Sequence, residues 1–123
     1  MTSPVMSLVG SYWKLLEVDG HPAVAMDELR EAHIILLAEE QRLVGSSGCN
    51  RIMGTYEVTG DQLRISPLAM TMMMCSEDLM RQEQALTAAL EAATGYRISG
   101  RSLELFDGEQ IVARFEGSDP ESS

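Results

Sequence analysis

The sequence predicts a mainly β fold with one helix (α+β): an antiparallel, strongly curled sheet or barrel-like fold of about seven or eight strands, with the α-helix near residues 76–94. Three observations lead there. Short runs of Leu, Ile, Val and aromatic residues recur along the chain, each too short for a confident helix. Several are joined by short Gly-containing turns of the kind that link neighbouring antiparallel strands. One stretch repeats its apolar residues at helical spacing and begins with a good cap.

In order, Ser11 to Val18 carries Trp13, Leu15 and Leu16 and ends at the turn signal Asp19-Gly20. Pro22 to Ala32 is ambiguous, with Asp27-Glu28-Leu29-Arg30-Glu31 readable as a helical turn or a charged loop. His33 to Ala38 is apolar enough for a buried strand, and Glu39-Glu40 turns the chain into Gln41 to Val44. Gly54 to Thr59 and Gln62 to Ser66 flank Gly60-Asp61, a hairpin loop in which glycine supplies the positive φ. Pro67 then interrupts the pattern, since proline sits poorly in a central strand.

Ser76 to Thr94 is the clear helix, with Ser76 as N-cap, Glu77 and Asp78 in the first turn and Gly95 as the expected stop. Leu79, Leu86, Leu90 and Ala93 fall on one face, and Arg81, Gln84 and Glu91 fall elsewhere. Tyr96 to Ile98, Ser102 to Phe106 and Gln110 to Phe115 complete the strands, separated by Ser99-Gly100-Arg101 and Asp107-Gly108-Glu109. The polar stretch 117–123 reads as a disordered tail, which leaves residues 10–116 as one folded domain.

At 123 residues the chain can bury a core of its own, and Leu, Ile, Val and Met must fill it because aromatic residues make up only 5%. The net charge of −10 opposes phosphate backbones and anionic lipid surfaces, so nucleic acid is not an expected partner. No apolar run reaches the roughly 18 residues that span a bilayer, so no transmembrane segment is expected. The start, Met1-Thr2-Ser3-Pro4-Val5-Met6, lacks the basic and apolar regions of a signal peptide.

The only two cysteines stand in two short motifs, Gly45-Ser46-Ser47-Gly48-Cys49-Asn50 and Thr71-Met72-Met73-Met74-Cys75. Three readings stay open. A Cys49–Cys75 bridge would close a loop of about 27 residues and stabilise by roughly 3–4 kcal/mol. In a reducing compartment the same residues would be small buried hydrophobes. Cys75, just ahead of a helix start, could instead be a reactive thiol.

Met70, Met72 and Met74 would share one face if their segment were a strand, and with Cys75 they make a soft set suited to Cu(I). Packing is the blander use of so many methionines. His21 and His33 have no partner at ligand spacing. There is no nucleophile elbow, no His-Glu-x-x-His and no phosphate loop opening a helix. Catalytic residues, cofactors and metals are therefore not expected, and the domain reads as non-enzymatic.

These motifs resemble the META-domain, or HslJ-like, family. The resemblance rests on Trp13-Lys14-Leu15 with Gly20, then Leu43 to Arg51 with Gly54 and Tyr56, and Thr71-x-Met73-x-Cys75. Glu83 and Leu90 on the helix, Tyr96-Arg97-Ile98 and Leu103-x-Leu105 continue it. It implies a small barrel-like β fold with one helix, in bacterial proteins that are periplasmic, secreted or lipid-anchored at the outer membrane. It also implies links to heat shock and novobiocin resistance, and it brings no catalytic residues.

The expectation is therefore a monomeric, non-enzymatic domain of the cell envelope stress response that binds a protein or small ligand. A cytoplasmic location stays open because no export signal is seen. Cys49 and Cys75 would fix the architecture, and Ser46, Ser47, Gly48, Asn50 and Arg51 are the first candidates for a contact surface, as a loop on a rigid scaffold. The alternatives are copper binding by Met70–Cys75, thiol chemistry at Cys75, or a hollow barrel holding a lipid-like ligand.

Overall fold

The computed structural model describes residues 7–24 and 31–118. Its strands are β1 (Tyr12–Val18), β2 (His21–Pro22), β3 (His33–Leu37), β4 (Arg42–Ser46), β5 (Arg51–Thr59), β6 (Gln62–Ile65), β7 (Ala69–Met70), β8 (Gly95–Ser99), β9 (Ser102–Asp107) and β10 (Gln110–Ser118). One α-helix, α1 (Glu77–Ala92), lies between β7 and β8. Eight strands close an antiparallel barrel in the order β1-β3-β4-β5-β6-β8-β9-β10, with β10 returning to β1. The two-residue strands β2 and β7 are additions, paired to β1 and β5. Closure removes the free edges that an open sheet would present.

Alternation along the strands sets the inside and outside. In β1 the inward residues are Trp13 and Leu15, then Val18, and the change of phase is a bulge in the pairing with β10 between Leu15 and Glu17. The bulge turns Leu16 outward, where it is exposed. Trp13, Phe115, Leu36, Leu43, Ile52 and Leu105 are among the large side chains fully enclosed inside. The barrel is a packed core, so the lipid-holding alternative is not supported. Trp13 Nε1 donates to the Leu8 carbonyl at 3.0 Å, satisfying the polar atom of the largest buried ring.

The Gly60-Asp61 hairpin forms as expected, with Gly60 at φ 62°. Past it, β6 ends at Ile65 and pairing with β5 resumes only at β7, with Pro67 in the gap. The neighbouring seam between β6 and β8 is narrow. It consists of the Gln62–Gly95 pair with the Leu63 N–H to Thr94 and Tyr96 N–H to Asp61 bonds, at 3.1 and 3.0 Å. The helix packs on β1, β6, β9 and β10 and buries Leu79, Gln82, Leu86, Ala89 and Leu90. Glu91 on α1 accepts from the Leu68 N–H at 3.0 Å, occupying backbone that the interrupted strand leaves over.

Several expectations need correction. Ser76 caps α1 as read, accepting from the Leu79 N–H at 3.3 Å, but Gly95 is not the helix stop. The chain leaves α1 through Ala93 in extended geometry, and Gly95 opens β8, where a Cβ would come 3.2 Å from the Asp61 carbonyl oxygen. Gly117 and Ser118 belong to β10, not to a tail; they pair with Trp13 and Tyr12. The remainder of that tail, 119–123, and residues 25–30 of the ambiguous segment Pro22 to Ala32 lie outside the described residues. The segment after Met70 is not a strand, so the shared face of Met70, Met72 and Met74 does not form.

Gly45 on β4 lies opposite Ile34 on β3, so close that a Cβ there would overlap the His33 carbonyl oxygen. Backbone cannot step aside as a side chain can. Gly45→Ala is therefore expected to lower the unfolding free energy by about 3 kcal/mol, the upper end for overpacking, as read from the urea midpoint. A loss under about 0.5 kcal/mol would show that the two strands are not in this contact.

Candidate functional site

β4 and β5 run antiparallel, and the turn between them, Ser47 to Asn50, is where the sequence's two cysteine motifs meet. Gly48 adopts φ 95°, which a side chain would oppose. The turn is closed by the Ser47 N–H donating to the Asn50 carbonyl at 3.0 Å. Ser47 Oγ accepts from the N–H groups of Cys49 and Asn50, at 3.2 and 3.0 Å, and donates to Glu83 Oε1 at 2.9 Å. Ser46 Oγ accepts from the Gly48 N–H at 3.0 Å. Gln82 Nε2 donates to the Ser47 carbonyl at 2.9 Å, while its Oε1 accepts from the Val24 N–H at 2.6 Å.

Asn50 is the hub. Its Oδ1 accepts from Met73 N–H at 2.7 Å and Thr71 Oγ at 2.9 Å. Its Nδ2 donates to Glu83 Oε1 at 2.8 Å and the Met73 carbonyl at 3.3 Å. The amide thus uses its full capacity of two donors and two acceptor sites. Thr71 extends the pairing beyond β7: its N–H donates to the Arg51 carbonyl at 3.2 Å, and its Oγ accepts from the Arg51 N–H at 3.0 Å. Beside this network Cys49 and Cys75 form a disulfide, with their Cα atoms 6.0 Å apart.

The arrangement answers the open readings. Ser47, Gly48 and Asn50 are buried, so they organise the turn and do not form the expected contact surface. Of that candidate set, Arg51 is exposed and Ser46 half-buried. With Cys75 bonded to Cys49 there is no thiolate for the copper set and no thiol nucleophile. Met70 is half-buried on β7 opposite Ile52, apart from the exposed Met72 and Met74, so the four-sulfur set is not assembled. Among the described residues, no group of three or more His, Cys, Asp or Glu side chains gathers as metal ligands would.

What the network presents outward is the short segment it holds. Met72 and Met74 are 88% and 86% exposed, and Met73 between them is 58% exposed. Their backbone is fixed on both sides, by Asn50 at Met73 and by the disulfide at Cys75. The pairing of Met53 with Ala69 adds more exposed apolar surface, lining with Val44 and Pro67 an open cleft of 460 Å³.

The META domain family matches residues 6–119, spanning both cysteine motifs and the whole barrel. The chain belongs to the META domain family. Similar folds occur in three solved structures. One NMR structure is 25% identical, with a TM-score of 0.72 over 89% of this chain and 91% of the other. A Burkholderia xenovorans protein solved by NMR is 23% identical, with a TM-score of 0.70 over 96% of this chain and 92% of its own. A DUF4847 family protein from Bacteroides vulgatus, a crystal structure, is 17% identical, with a TM-score of 0.65 over 91% of this chain and 95% of its own. No curated protein matches the sequence significantly.

In this META domain the roles of Gln82, Glu83 and Thr71 were not evident from sequence. Gln82 and Glu83 follow Leu79 by three and four residues, on the stripe that continues to Leu86 and Leu90. A polar pair on the apolar stripe of a helix is the signal that could have marked them, because it needs partners across the contact.

Away from this network, on β1 and β3, Tyr12 stacks on His33 with ring centroids 4.4 Å apart and donates to Glu31 at 2.9 Å. Burial, then the Glu31 carboxylate, pushes the Tyr12 hydroxyl well above the usual phenol range. Burial also raises Tyr56, whose hydroxyl donates to the Leu37 carbonyl at 2.9 Å. Both shifts hold the phenols protonated to higher pH than a free tyrosine.

Proposed function

We propose that this META domain is a non-enzymatic domain of the bacterial cell envelope, with a role in stress response, that binds a protein partner through Met72, Met73 and Met74. The observation that carries the reading is a row of three exposed thioethers on a fixed backbone. Methionine side chains are flexible and polarisable, and they adapt to apolar partner surfaces of varied shape. A partner protein suits this better than an enclosed small ligand, because the barrel interior is occupied by its own side chains. The Cys49–Cys75 disulfide supports an oxidising compartment, in keeping with the envelope location that the family resemblance implies.

Site-specific photo-crosslinking in cells tests the reading. A photoreactive residue at position 72 or 74 is expected to give a discrete crosslinked species, and one at exposed Glu109, in the β9–β10 turn, is expected to give none. Equal crosslinking from all three positions, or none from 72 and 74, would remove the proposed surface.

A further inference from the structure

Among the described residues, the sulfur atoms fall into distinct chemical settings. Cys49 and Cys75 are already oxidised to a disulfide, so neither offers a thiol to an oxidant. Met70 and Met80 are half-buried, Met53 and Met73 are 48% and 58% exposed, and Met72 and Met74 stand at 88% and 86%. The thioether lies toward the far end of the side chain, so residues this exposed offer it to reagents in solvent.

We infer that Met72 and Met74 form an oxidant-modification site that takes hydrogen peroxide or hypochlorous acid. The sulfur lone pair attacks the terminal oxygen, an S–O bond forms and the O–O or O–Cl bond breaks. Sulfur loses two electrons to become the sulfoxide. The oxidant is reduced to water, or to chloride and a proton. With both cysteines paired, no faster thiol competes for the reagent within the chain.

Each event replaces an apolar methionine tip with a polar sulfoxide. The barrel does not depend on these tips, because both side chains lie outside the core. The backbone between them stays bonded to Asn50, whose partners are the main-chain N–H and C=O of Met73 and not its sulfur. Oxidation therefore changes the character of the loop while the fold beneath it stays as it was. The inference rests on exposure and thioether chemistry and does not require that the loop bind a partner.

The test is graded oxidation of the intact, disulfide-bonded chain with hydrogen peroxide and, separately, hypochlorous acid, followed by peptide mass spectrometry and thermal unfolding. Met72 and Met74 are expected to take up one oxygen each while Met70 and Met80 remain reduced, with Tm unchanged. Oxidation of Met70 or Met80 at the same rate, or a fall in Tm accompanying the modification of Met72 and Met74 alone, would overturn the proposal. In the Met72→Leu/Met74→Leu chain, the early oxygen uptake should fall by two oxygens relative to the parent while Tm is retained. Early uptake in that chain equal to the parent's would place the reactive sulfur elsewhere and overturn the site.

Discussion

Asn50→Ala is expected to cost about 3 kcal/mol, read as a lower urea midpoint with the slope unchanged. The truncation removes partners from Thr71 Oγ and from the N–H and C=O of Met73, and it removes one of the two donors to Glu83 Oε1. A stranded buried polar group costs about 1–3 kcal/mol, and the partial exposure of this segment lets water recover some of the sum. Asn50→Asp sharpens the test. It keeps the acceptor oxygen but sets a second carboxylate against Glu83, where an amide N–H now donates at 2.8 Å.

Two carboxylates at this separation hold a proton more tightly folded than unfolded, so the folded pKa of the pair is raised. The folded state then binds more protons, and stability falls as pH rises from the unfolded value near about 4 through the raised folded value. The deficit of Asn50→Asp relative to the parent should be greatest near neutral pH and shrink on acidification toward about pH 4. Asn50→Ala sets no second carboxylate there, so its deficit should change less over the same range. If the Asp deficit stayed constant over that range, Asn50 would not face Glu83.

The second large effect is removal of the disulfide. Cys49→Ala/Cys75→Ala releases a link across 26 positions of sequence, worth roughly 3–4 kcal/mol in the chain-entropy account. The stabilisation acts mainly on the unfolded chain, so it should appear as a fall in Tm of roughly 10–15 °C without a change of fold. Adding a reductant to the parent chain should reproduce it. Because Asn50 and the disulfide hold the same short segment, their losses should not add, and the triple variant measures the coupling. A disulfide loss below about 1 kcal/mol would mean that the polar network alone sets the segment in place.

Much of the barrel was legible in the sequence because its signals are local. The alternation of Leu63 and Ile65 and of Leu103 and Leu105, and the apolar run His33 to Ala38, mark strands. The Ser76 cap and the Leu79–Leu86–Leu90 stripe mark the helix in the same way. β2 and β7 were not legible, since two residues have no period to read.

The site was harder, because its physics lies between segments distant in sequence. Gly45 to Asn50 has the composition of a solvated turn, yet Ser47 and Asn50 are buried because Gln82, Glu83 and Met73 bring partners to them. The alternation of Met70, Met72 and Met74 imitates a strand, but Asn50 takes the Met73 N–H that a neighbouring strand would have used. The disulfide was one of three readings of the cysteines. Proximity in the fold decides it, and spacing in the sequence cannot.

A fixed backbone presents the methionines, and amide hydrogen exchange at Met73 is the measurement that reads it. Met73 lies in an irregular and largely exposed segment, where an unbonded amide would exchange at its intrinsic rate. Its 2.7 Å bond to Asn50 predicts protection like that of strand amides such as Leu63, lost in Asn50→Ala while Leu63 stays protected under native conditions. Exchange of Met73 at the intrinsic rate in the oxidised parent chain would show the segment to be free, and the presented surface would not exist.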